Sequence, residues 1–148
     1  MNPRTLRIRL AVFLLVSFVI HAAMGGDLVI RGARPNLALT SLLVCGLFVD
    51  AGTGAWFGAM IGVLEAAYLD RYVGSVIVSR ILPGFALGAL EERVFRDHSL
   101  IAVAAAGIGT IVTECLFALF APQPHALRWL VRTGLSAVYN GALAIPVR

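Results

Sequence analysis

An all-α membrane bundle of about six transmembrane helices is the fold this chain predicts, and three observations predict it. Apolar residues fill 59% of its 148 positions and charged residues only 14%, too little polar surface to wrap a water-soluble domain of this size. The apolar positions fall into six long runs separated by short charged punctuation. Gly, Ala, Val and Leu dominate these runs without strict alternation, so helices, which satisfy their own backbone hydrogen bonds in hydrocarbon, are expected over an outer-membrane barrel.

The expected helices cover residues 8–24, 35–49, 54–69, 73–90, 100–120 and 127–147, in a single integral membrane domain spanning 1–148. A spanning helix needs about 17–25 residues. The second and third runs are short, which predicts local thinning of the bilayer or shelter by neighbouring helices. Arg4, Arg7 and Arg9 ahead of the first run, with Ala22 and Ala23 near its end, have the look of a secretory signal. The five runs that follow make a signal-anchor helix the simpler expectation. Pro35 suits the first turn of the second helix. Asp50 to Gly54 makes a tight turn, with Thr53 a cap for the third helix.

Asp70, Arg71 and Tyr72 form the next turn. Pro83, inside the fourth helix, predicts a kink and a freed carbonyl near residue 79. Glu91, Glu92, Arg93, Arg96 and Asp97 make the most polar stretch, a solvated connection and the best place for cytoplasmic contacts. The segment 121–125 carries Pro122 and Pro124 and is a rigid loop, after which Trp129 stands where an interfacial aromatic belongs.

All twelve basic residues are Arg. They are scattered instead of forming a stripe with aromatics, so nucleic acid is not an expected partner. Orientation accounts for them better. With the amino terminus inside, Arg4, Arg7, Arg9, Arg93, Arg96 and Arg148 are cytoplasmic and Arg31, Arg34, Arg71 and Arg128 are outside. Both termini are then cytoplasmic. Cys45 and Cys115 lie in apolar runs as small packing residues, and His21, His98 and His125 form no ligand motif, so no metal or cofactor is expected.

Two patterns carry specific expectations. Gly54, Gly58 and Gly62 recur at four-residue spacing on one face of helix three, and Gly84 and Gly88 do so on helix four. Missing side chains let another backbone approach closely, either within the bundle or from a partner helix, with Trp56, Gly58 and Gly62 the contact candidates on helix three. Secondly, Glu65, Arg80, Glu114 and Arg132 are ionisable residues inside spans, where facing lipid costs at least about 2.5 kcal/mol each. Alternating helix directions and a rise of about 1.5 Å per residue bring all four to one depth in the outer half. A buried charge cluster follows, with Glu65–Arg80 and Glu114–Arg132 the pairs expected from helix adjacency. It serves as a clasp fixing helix order or as a partner or ligand site opening outward; snorkelling of the arginines is the third possibility.

With these residues in place the chain resembles MreD, the membrane protein of the bacterial rod-shape system. The resemblance runs through Arg34-Pro35-Asn36-Leu37, Gly58 to Glu65, Val73-Gly74, Gly84-Phe85 to Gly88, and Tyr139-Asn140. Asn36 stands where the family often has Asp, and Glu65-Ala66 where Asp is also frequent. The chain ends soon after Pro146, earlier than many relatives. The resemblance implies a non-enzymatic scaffold or regulator of cell-wall elongation that binds MreC. Through MreC it would connect MreB filaments to the RodA glycosyltransferase and its penicillin-binding transpeptidase. It also implies a fold like the S components of energy-coupling-factor transporters, six helices with an outward-facing pocket.

The alternative is a vitamin-binding subunit of such a transporter, its pocket lined by Tyr68, Tyr72, Trp129 and the charged cluster. An enzyme is not expected. Gly-x-Ser-x-Gly, His-Glu-x-x-His and an intramembrane Asp pair are all missing, and arginines beside Glu65 and Glu114 would hold both ionised.

Overall fold

Six helices and no strand make up the described residues of this computed structural model, which describes residues 2–24, 29, 32–90 and 99–147. They are α1 (Pro3–Met24), α2 (Leu37–Gly46), α3 (Ala51–Ala66), α4 (Val73–Ala89), α5 (Ser99–Phe120) and α6 (Ala126–Val147). The polar stretch proposed for cytoplasmic contacts, with His98, lies outside the described residues, as do Asp27, Arg31 and Arg148. Two helices are long and apolar enough to cross a membrane, Pro3–Met24 and the Leu100–Phe120 part of α5. The helices α2 and α4 are apolar but shorter.

The shortest helix is the hub. Every residue of α2 from Ala38 to Gly46 is buried, and α2 touches each of the other five helices. Its length of 10 residues gives about 15 Å, so surrounding helices shelter it, one of the two outcomes expected for a short run. Leu39, Leu42 and Leu43 pack with Leu14 and Phe18 of α1 and Phe57 and Ile61 of α3. On its other side Val44 meets Ala102 and Ala106 of α5 and Ala144 of α6.

Two helix starts differ from expectation. Pro35 does not open α2; Asn36 caps it, with its side-chain oxygen accepting from the Leu39 amide at 2.8 Å. A short polar side chain in extended backbone satisfies that otherwise orphaned N–H. Likewise Asp50, not Thr53, caps α3, accepting from the Thr53 amide at 3.1 Å and from its hydroxyl at 2.7 Å. These bonds, with Arg7 2.6 Å away, hold the Asp50 carboxyl below the usual carboxylate range. The helix α4 runs through the buried Pro83 from Val73 to Ala89 without a break. Cys45 is buried as expected, whereas Cys115 is exposed.

The glycine pattern is spent inside the chain. The helices α3 and α4 form the most extensive helix pair, antiparallel and backbone to backbone. A Cβ on Gly54 would strike the Gly84 carbonyl, and one on Gly58 the Arg80 carbonyl; on Gly62 it would lie 2.8 Å from the Ile77 Cα, and on Gly88 2.7 Å from the Asp50 carbonyl. The expected docking face of Gly58, Gly62, Gly84 and Gly88 is therefore occupied by its own hairpin. Trp56 points away from it and is 77% exposed. Tyr72 at the turn adopts a left-handed backbone, φ 62°, a conformation that costs a side chain-bearing residue about 1–2 kcal/mol.

Gly58→Ala is expected to destabilise the protein by about 1–3 kcal/mol, because the added methyl meets backbone that cannot step aside. Gly74→Ala, where nothing lies within 4 Å, is expected to be neutral or stabilising by up to about 1 kcal/mol; thermal unfolding in detergent measures both. The depressed Asp50 carboxyl stabilises α3 above about pH 3.9, the unfolded value, and loses that effect as pH falls through its lowered folded value. Asp50→Ala should therefore differ from wild type at pH 6 and converge with it in acid, read from the same unfolding curves.

Candidate functional site

Beyond the glycine seam the α3–α4 hairpin carries its ion pair. Side chains on a helix lean toward its amino-terminal end, so Arg80 of α4 and Glu65 of the antiparallel α3 lean toward each other. Arg80 Nε donates to Glu65 Oε2 at 2.7 Å, and the two side chains are only 9% and 12% exposed. Gly62 brings the two backbones together beside the pair, since a Cβ there would lie 2.8 Å from the Ile77 Cα. Arg80 Nη1 also donates to Ser79 Oγ at 3.2 Å, and Ser79 in turn donates to the Val76 carbonyl at 2.8 Å.

From this pair a hydrogen-bond chain crosses the molecule. Asn36 Nδ2 donates to Glu65 Oε1 at 2.9 Å. The Asn36 backbone N–H donates to Asn140 Oδ1 at 2.8 Å. Asn140 Nδ2 donates to Thr110 Oγ1 at 2.9 Å, and Thr110 closes the chain on the Ala106 carbonyl at 2.6 Å. One continuous path thus runs from α4 through α3, the α2 cap and α6 to α5. Asn36 uses its amide, its side-chain oxygen and its side-chain nitrogen, and its carbonyl accepts from Thr40 Oγ1 at 2.8 Å. Such a fully connected buried network fixes a unique arrangement, since leaving any member unpaired costs its desolvation.

The four charges expected within spans line one space, but they do not pair as expected. Glu65, Arg80, Glu114 and Arg132 all line one cavity of about 470 Å³. Glu65–Arg80 is an ion pair. Glu114 and Arg132 form no ion pair with each other among the described residues, and Arg132 is exposed. They lie on α5 and α6, where no glycine seam draws the two backbones into contact at their level. An adjoining recess of about 230 Å³ shares Arg80, Glu114 and Arg132 and continues to Ser136 and Asn140.

Several lining residues escaped the sequence reading: His21 at the end of α1, Arg34 ahead of the α2 cap, and Thr110, Thr133 and Ser136. A signal for some of them was present. Thr110 and Glu114 are four apart on α5, and Arg132, Ser136 and Asn140 recur every four residues on α6, a polar stripe along one helix face. Of the residues that carry the family resemblance, Asn36 and Asn140 sit in the network, whereas Pro35 and Tyr139 make no side-chain hydrogen bond within it. Of the expected pocket aromatics, Tyr68 lines the cavity and its ring lies 6.1 Å from that of Phe18. Tyr72 is exposed at the α3–α4 turn. Trp129 lines a separate recess of about 510 Å³ with His125 and Arg128, and its indole N–H is buried without a partner.

Removing one member of the ion pair is expected to cost about 3–5 kcal/mol, because the other charge is left buried alone. Glu65→Gln and Arg80→Met should each lower the unfolding midpoint strongly. The double variant should recover much of the loss, so the coupling energy of the double-mutant cycle should be large. Near-additive losses would contradict a closed pair. No protein-family model matches the chain, and neither does any curated protein or solved structure, so the functional reading rests on these side chains.

Proposed function

We propose that this chain is a multi-pass protein of the bacterial cytoplasmic membrane, both termini cytoplasmic, that acts as an MreD-like scaffold in the cell-wall elongation complex. Lipid as the solvent is supported by an inverted distribution of polarity. Only 17% of the apolar stretch of α1 and 22% of that of α5 is buried inside the protein, and Leu119, Leu127 and Val138 are among the large apolar residues left outside. Arg80, Asn140 and the buried threonines are meanwhile inside, and the Glu65 side chain is only 12% exposed. In water this is unfavourable on both counts; in hydrocarbon it is what stability requires. The six helices then cross the membrane together, with α2 held at depth by its neighbours.

The observation that carries the scaffold role is the five-helix hydrogen-bond chain anchored on Glu65–Arg80. It is a closed, satisfied network and therefore suits a body of fixed shape on which partners dock. MreC is the proposed direct partner, with RodA, the transpeptidase and MreB reached through the complex. Since the glycine seam is occupied, the proposed contact surface moves to outward residues, Trp56 first among them. A second reading, a vitamin-binding subunit of an energy-coupling-factor transporter, is favoured by the cavity at Glu114 and Arg132.

Co-purification from native membranes separates the two. An MreC-like protein should be retained, and Trp56→Ala should weaken its retention while leaving the unfolding midpoint unchanged. Retention of energy-coupling ATPases or a bound vitamin, without an MreC-like protein, would overturn the scaffold assignment.

A further inference from the structure

The cavity beside the clasp holds charges that a rigid scaffold does not need. Glu65 and Arg80 satisfy each other, but Arg34, Arg132 and Glu114 line the same space without a hydrogen bond or ion pair among the described residues. Arg34 and Arg132 are both exposed to it. Three arginines against two carboxylates leave a positive excess, and the two uncommitted guanidinium groups are the forks that recognise phosphate best. A bare phosphate, however, would sit in the field of Glu114. An amine next to the phosphate removes that conflict by pairing with the carboxylate. The remaining wall is apolar, with Phe18, Ala22, Leu69 and Phe117 beside the charged residues. That combination of charged and apolar lining matches an amphiphile.

We propose that the cavity takes a headgroup carrying a phosphate beside a primary amine, the phosphate on Arg34 and Arg132 and the amine on Glu114, with an acyl chain along Phe18 and Phe117. The larger recess, about 470 Å³, is in the range of small-molecule sites, and the smaller, about 230 Å³, adjoins it. The proposal rests on the membrane location and not on MreC binding, so losing one leaves the other standing. The same headgroup chemistry has two sources, a membrane phospholipid or a soluble phosphate ester, and the apolar lining favours the lipid.

Native mass spectrometry of the full chain in mild detergent, supplied with one phospholipid at a time, tests this. Phosphatidylethanolamine adducts should exceed those of phosphatidylcholine and phosphatidylglycerol by about tenfold. Arg132→Gln and Arg34→Gln should reduce them by a similar factor, and Glu114→Gln should abolish the preference over phosphatidylglycerol. Arg128→Gln, outside this cavity, should change nothing. Helical content and monodispersity of each variant show that it is folded. Phosphoethanolamine without a tail should fail to displace the lipid at millimolar concentration; displacement would overturn the amphiphile part and indicate a soluble ester. Equal adducts for all three lipids, or patterns unchanged in Arg132→Gln and Glu114→Gln, would overturn the site.

Discussion

The closed contact between Glu65 and Arg80 is the constraint on which the rest of this structure depends. A guanidinium and a carboxylate taken from water gain stability only if they meet at short range and their other donors and acceptors are satisfied. Both conditions hold because of glycine. Gly54, Gly58, Gly62, Gly84 and Gly88 let the α3 and α4 backbones touch beside the pair. The second carboxylate oxygen of Glu65 is then taken by Asn36. That links the hairpin to the cap of α2, and Asn140 and Thr110 carry the link to α6 and α5.

This arrangement divides the molecule into two parts with different properties. Around α2, α3 and α4, side chains are close-packed and the polar groups of the clasp are paired. Toward the start of α6 and the end of α5 there is open space, and Arg34, Glu114 and Arg132, which line it, form no ion pair among the described residues. Rigidity and vacancy lie side by side, sharing Asn36 and Arg80 as a common wall. A body built this way joins a hydrogen-bonded frame to one polar recess.

Much of the fold was legible in the sequence, because hydrophobic runs bounded by Pro, Gly and charged residues mark helices regardless of what they pack against. The helix starts were less legible. Pro35 and Thr53 are plausible first-turn and cap residues, but Asn36 and Asp50 offer a carboxyl or amide oxygen at the distance the free amides need, and only coordinates settle that competition. The four charged residues gathered by helix direction and rise do line one space. Direction and rise gave no warning that Glu114 and Arg132 stay apart, because lateral spacing depends on which helix faces carry glycine. The four-residue glycine repeat was equally ambiguous between internal and external packing. Arg34 and His21 were missed since they sit at helix ends, where a polar residue looks like ordinary loop chemistry.

The state of the Glu65–Arg80 contact within a bilayer is the most direct test of the clasp. Solid-state nuclear magnetic resonance on protein with labelled arginine nitrogen and glutamate carboxyl carbon, reconstituted in lipid, measures it. An ionised Glu65 carboxylate with a through-space correlation to the Arg80 Nε is the expected result. A protonated Glu65, or an Arg80 side chain showing no such correlation, would contradict the clasp and the fixed geometry built upon it.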